Sequence, residues 1–166
     1  MIREQLRNIF FYTIILVFQL FVFNHINLVG FITPFIYLII FIHYKTSYNK
    51  TTLIFLGFIV GIIVDLSMQT YGSHTFATIT ICYLRTWIEK YSFGVNSNLP
   101  SAMINGTQLI NRLRFFGLII FIHSLIYYSL VFFNIELFWT IVLNIIINSI
   151  ITFIVIWLIS QLISNK

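Results

Sequence analysis

Residues Thr52 to Met68 read TLIFLGFIVGIIVDLSM. The run holds one charged residue, Asp65, and no proline. A soluble helix alternates apolar and polar faces, whereas this run is apolar all round, which marks a buried or membrane-spanning helix. The whole chain has the same character. It is 60% hydrophobic and 8% charged over 166 residues, with a mean hydropathy of +1.00. A soluble domain of this length needs a polar surface that this composition cannot supply. The expected fold class is therefore an all-α integral membrane protein.

A spanning helix takes about 20 residues, so about six fit the chain with short loops. The apolar runs predict helices over 8–23, 28–43, 52–68, 74–88, 115–133 and 137–163. Pro34 falls near the start of the second, where the first-turn amides lack helical partners anyway. The third and fourth are short for spans and imply local thinning. No extramembrane segment is long enough to fold alone, so residues 1–166 are expected to form one polytopic domain. The first apolar run is followed by Asn24, His25, Ile26 and Asn27 rather than a small-x-small site, and is read as an uncleaved helix.

The basic residues give an independent check. Arg3 and Arg7 precede the first helix, and Lys45 and Lys50 lie between the second and third. Arg85, near the end of the fourth, groups with Lys90, Arg112 and Arg114 between the fourth and fifth, and Lys166 ends the chain. The other loops carry no Lys or Arg. With six helices all nine cations share one side, and the positive-inside rule makes that side and both termini cytoplasmic. The net charge of +5 is scattered rather than set in a basic stripe, which argues against nucleic acid. The one substantial loop, about 89–114, contains turn formers at Gly94, Asn96 and Pro100, and Ala102 to Leu113 has near-helical spacing suited to an interfacial helix.

No phosphate loop, nucleophile elbow, HExxH or paired catalytic carboxylates occur, so no catalytic, cofactor-binding or metal residue is assigned and an enzyme is not expected. Cys82, the single cysteine, reads as a small buried hydrophobe. The glycosylation patterns at Asn49 and Asn105 fall on the cytoplasmic side and read as chance. Gly57, Gly61 and Asp65 are spaced by four and share a helix face. Glycines at that spacing let a neighbouring backbone approach closely. Asp65 has two readings: a cap for the turn at Gln69 to Ser73 or a partner of His74, against a proton or ligand site, since a carboxylate in hydrocarbon costs about 2.5–3.5 kcal/mol. His123 lies mid-span, and Asn144 and Asn148 share a face of the last helix. These three are candidate intramembrane polar contacts.

The segment Gly57-Phe58-Ile59-Val60-Gly61-Ile62-Ile63-Val64-Asp65, followed by Gly72-Ser73-His74-Thr75, resembles the signature of the MreD family of rod-shape-determining membrane proteins. That family shows Gly-Phe-x-x-Gly-x-x-x-Asp, then a Gly and often a His before the next helix. The stretch from Asn24-His25-Ile26 to Pro34-Phe35-Ile36-Tyr37 looks like the second-helix region of one branch of it. Length, topology and charge pattern agree along nearly the whole chain, while the loop at 89–114 has no match. The resemblance implies a bacterial inner-membrane scaffold of the cell-wall elongation machinery. The implied partners are an MreC-like protein, a RodA-type glycosyltransferase with its transpeptidase and, indirectly, the MreB filament. It also implies a fold similar to the S components of energy-coupling-factor transporters. The alternatives are a vitamin-binding S component or a small proton-coupled transporter. Short outer loops argue against the first, and the off-centre position of Asp65 argues against the second.

Overall fold

A computed structural model describes residues 2–26, 33–44, 49–94 and 107–164. Six α-helices account for most of them: α1 (Ile2–Phe21), α2 (Leu38–His43), α3 (Lys50–Met68), α4 (Ser73–Phe93), α5 (Leu109–Val131) and α6 (Phe138–Ser164). Single 3-10 turns at Phe23–His25 and Ile135–Leu137 follow α1 and precede α6, and no strand occurs among the described residues. Helices α3, α4, α5 and α6 pack consecutively, each against the next. Three helices, α3, α5 and residues 138–162 of α6, are long and apolar enough to cross a membrane. The apolar stretch Ile9–His25, which covers most of α1 and the 3-10 turn after it, is shorter. Helix α4 has the length, at 21 residues, but carries Arg85, Glu89 and Lys90 in its second half.

The elements differ from the sequence expectation in three places. Helix α1 begins at Ile2, so Arg3, Glu4 and Arg7 belong to it rather than preceding it. The second expected helix, 28–43, is helical only from Leu38 to His43. Its residues 28–32 lie outside the described residues, and Pro34 sits in non-helical backbone rather than in a helical first turn. The reason is local: the residue before a proline is pushed out of helical geometry, and here the chain does not re-enter it until Tyr37. Helix α4 runs on to Phe93 and α5 begins at Leu109. The expected loop 89–114 therefore contracts, and Lys90, Arg112 and Arg114 are helical. Of the expected interfacial helix, 102–106 lie outside the described residues, Thr107 and Gln108 are non-helical, and Leu109 to Leu113 are the start of α5.

The centre of the bundle is α2 and the turn before it. Phe35, Ile36, Tyr37, Leu38, Ile39, Ile40, Phe41 and Ile42 are each no more than 1% exposed. In lipid such burial is held by close packing, since tails are as apolar as the side chains. Helix α6 presents one stripe inward: Asn144, Asn148, Thr152, Ile156 and Ser160 are buried at four-residue spacing. Its opposite face, with Ile147, Ile150, Ile154 and Leu158, is exposed. That division of polar inside from apolar outside suits a lipid surround.

Candidate functional site

The residues of the glycine and aspartate pattern meet in the α3–α4 hairpin. A Cβ on Gly61 would lie 2.5 Å from the Thr75 Cα and 2.6 Å from the Thr78 Oγ1. Only a hydrogen at this position allows the two backbones to lie so close. A Cβ on Gly57 would meet the Cys82 Sγ at 2.8 Å, a side chain rather than backbone. Thr78 ties the seam by donating to the Gly57 carbonyl at 3.0 Å.

Beyond the seam α3 ends in a tight turn. Gln69 and Tyr71 take left-handed geometry, φ 55° and 51°, and Gly72 follows at φ 95°. Gly72 stands at the N-cap of α4, where an Asn, Asp, Ser or Thr side chain normally accepts from the amides two and three residues on. Glycine has no side chain to do this, and Asp65 supplies it from the neighbouring helix. Its Oδ1 accepts from the His74 N–H at 3.0 Å and from the Thr70 hydroxyl at 2.5 Å. Its Oδ2 accepts from the Thr75 N–H at 2.8 Å and the Thr75 hydroxyl at 2.5 Å. A carboxylate has about four acceptor positions, and all are occupied. The negative charge also faces the positive end of the α4 dipole. The imidazole of His74 is not the partner of Asp65; only its backbone is. An open groove of about 470 Å³ runs beside this turn, with Asp65, Gln69 and Thr75 as its polar edge.

The His74 side chain points into the core. Its Nδ1 lies 2.9 Å from the Tyr37 hydroxyl, and His123 Nε2 lies 2.7 Å from the same oxygen. Both imidazoles are fully buried. With both neutral, the phenol donates its one proton to one ring and accepts from the other. Phe35 meets both rings edge-on, at 5.2 and 5.1 Å, and Tyr127 stacks on His74 at 4.2 Å. The outer nitrogens, His74 Nε2 and His123 Nδ1, have no partner among the described residues.

Two residues that the sequence pattern did not single out hold this arrangement. The break at Pro34 leaves backbone groups that no helix satisfies, and in a membrane each must find a partner in the protein. Gln19 of α1 donates to the Pro34 carbonyl at 3.2 Å and accepts from the Tyr37 N–H at 3.1 Å. Thr152 of α6 accepts from the Phe35 N–H at 3.1 Å. Gln19 is visible in sequence as the lone amide of the apolar run from Ile9 to Phe23, which was the available signal. Asn148, one turn from Thr152, is fully buried with neither amide atom bonded among the described residues, and Asn144 is 8% exposed. Neither joins Asp65 by a described hydrogen bond, so the polar residues form two groups rather than one. At the other end of the bundle Arg85, 3% exposed, pairs with Glu89 at 2.7 Å and donates to the Tyr44 carbonyl. His43 meets Ser160 at 3.1 Å.

No cluster of three or more His, Cys, Asp or Glu able to hold a metal occurs among the described residues. Comparison with known protein families, with curated proteins and with solved structures returns no match to this chain.

Proposed function

We propose that this protein is a non-enzymatic scaffold of the bacterial inner membrane, acting in cell-wall elongation in the manner of the MreD family its motif resembles. In this reading it crosses the bilayer six times with both termini cytoplasmic, in a fold similar to an S component. It binds an MreC-like protein and, directly or through it, a RodA-type glycosyltransferase, its transpeptidase and the MreB filament. One observation carries the scaffold role: Asp65 is saturated by the Thr70, His74 and Thr75 donors. A carboxylate with no acceptor position left serves as a joint between helices and is poorly placed to bind a substrate. The groove beside it gains no free charge from it, which weighs against a vitamin-binding S component. The test is purification of the tagged protein in mild detergent with identification of co-purifying membrane proteins. Recovery of an MreC-like protein and a peptidoglycan synthase is expected. Recovery of a transporter ATPase module instead would favour the S component.

A transport reading draws on a different observation. The Tyr37, His74 and His123 chain leaves two buried ring nitrogens unpartnered among the described residues, and buried titratable groups inside membranes often mark ion or proton paths. It would be favoured if Tyr37→Phe abolished function in folded, inserted protein.

A further inference from the structure

The second half of α4 faces outward with Tyr83, Trp87 and Tyr91, each 60–63% exposed and four residues apart. Trp87 and Tyr91 stack at 5.7 Å with 12° between their planes. Two cations from the flanking helices lie over this stripe. Lys50 Nζ, at the start of α3, is 4.6 Å from the Tyr83 ring centre. Arg114, in the second turn of α5, is 5.8 Å from that of Tyr91. Lys90 is exposed beside them. The only carboxylate of α4, Glu89, turns inward to Arg85. Three helices thus bring three outward cations onto one aromatic ledge, and no carboxylate pairs with those cations among the described residues.

We propose that this ledge is a binding site for the headgroup of an anionic phospholipid. The inference rests on the membrane reading alone and not on the cell-wall role. Charge decides the class of ligand: uncompensated cations at a membrane surface attract anionic headgroups, each with about 1 kcal/mol. The rings decide the depth, since Trp and Tyr settle at headgroup level. The stripe continues along α4 to Phe76, two turns before Tyr83 and 59% exposed, so acyl chains have apolar surface to lie on. Lys50 from α3 and Arg114 from α5 flank the ledge on its two sides, so phosphate oxygens settling on it have a cation within reach from either helix. A protein partner would need an acidic segment at this depth. A lipid needs only the bilayer already present.

The test is native mass spectrometry of the purified protein titrated with phosphatidylglycerol, cardiolipin or phosphatidylcholine. The expected result is preferential retention of the two anionic lipids. Lys50→Gln and Arg114→Gln should each weaken anionic binding about fivefold, and together about twentyfold or more, which is about 1 kcal/mol per charge. Lys50→Arg should keep it. All these side chains are exposed, and thermal unfolding in detergent confirms that each variant is folded. Equal binding of phosphatidylcholine and phosphatidylglycerol by the native chain overturns the proposal. So does an anionic preference that survives the double substitution.

Discussion

The α3–α4 hairpin and the α2 segment face the same difficulty, backbone groups that a regular helix would satisfy but that a turn or break exposes. They resolve it over very different sequence distances. At the hairpin, Asp65 reaches amides nine and ten residues away, across a turn whose glycine it complements. At α2, the Phe35 amide finds Thr152, 117 residues away, and the Tyr37 amide finds Gln19, 18 residues back. The first solution is encoded by one short stretch and is as robust as that stretch. The second depends on α1 and α6 both being in place. Helix α2 should therefore settle only after the outer helices assemble, whereas the hairpin can form early.

Substitutions can break this comparison in order of expected effect. Gly61→Leu puts carbon into the Thr75 backbone, which has no route of escape, so a loss of about 3 kcal/mol or more is expected, read as a fall in folded yield and in thermal stability in detergent. Gln19→Leu strands the Pro34 carbonyl and the Tyr37 amide at once, at about 1–3 kcal/mol each. Its signature should be regional: amide exchange should rise around residues 34–44 while the hairpin stays protected. Uniform exchange through both regions would mean they are one cooperative unit. Thr152→Val removes one acceptor with little change in shape and should cost about 1–3 kcal/mol, with the same regional pattern. Gly57→Ala crowds the Cys82 sulfur at 2.8 Å while the Thr78 carbonyl, at 3.4 Å, is an ordinary contact, so a loss of about 1 kcal/mol is expected, and Cys82→Ala in the same chain should restore most of it.

The contrast also explains what the sequence discloses. The spacing of Gly57, Gly61 and Asp65 is a property of one helix, so the shared face can be read directly. The N-cap role of Asp65 was one of two readings the sequence offered, and only the geometry at Gly72 separates them. The non-helical backbone at Pro34 was missed because its partners are Gln19 and Thr152, and no local pattern links those three positions. The same holds for Tyr37, an ordinary aromatic by composition whose hydroxyl joins two histidines 49 residues apart in sequence. Arg85 falls in the last turn of the expected fourth helix, and only its charge groups it with the loop cations. Pairing with Glu89 one turn on, and packing between the rings of Tyr44 and Phe115, allow it to lie buried in α4. The six apolar runs mark six helices, but run length overstates α2, whose helix is six residues.

The central claim is that Asp65 is a structural joint. The most direct measurement is complementation of a shape-defective deletion strain by Asp65→Asn and Asp65→Leu, at matched expression and with insertion verified. Asn retains one oxygen, which keeps one threonine hydroxyl as a donor, and the other threonine hydroxyl can rotate to accept from the new NH2 group. One α4 amide then loses its partner, a cost of about 1–3 kcal/mol. Leu strands both amides and both hydroxyls. The account predicts that Asn largely preserves cell shape and that Leu does not. Equal and complete loss for both variants, with both proteins folded and inserted, would contradict it, because a joint tolerates loss of charge and a titrating carboxylate does not.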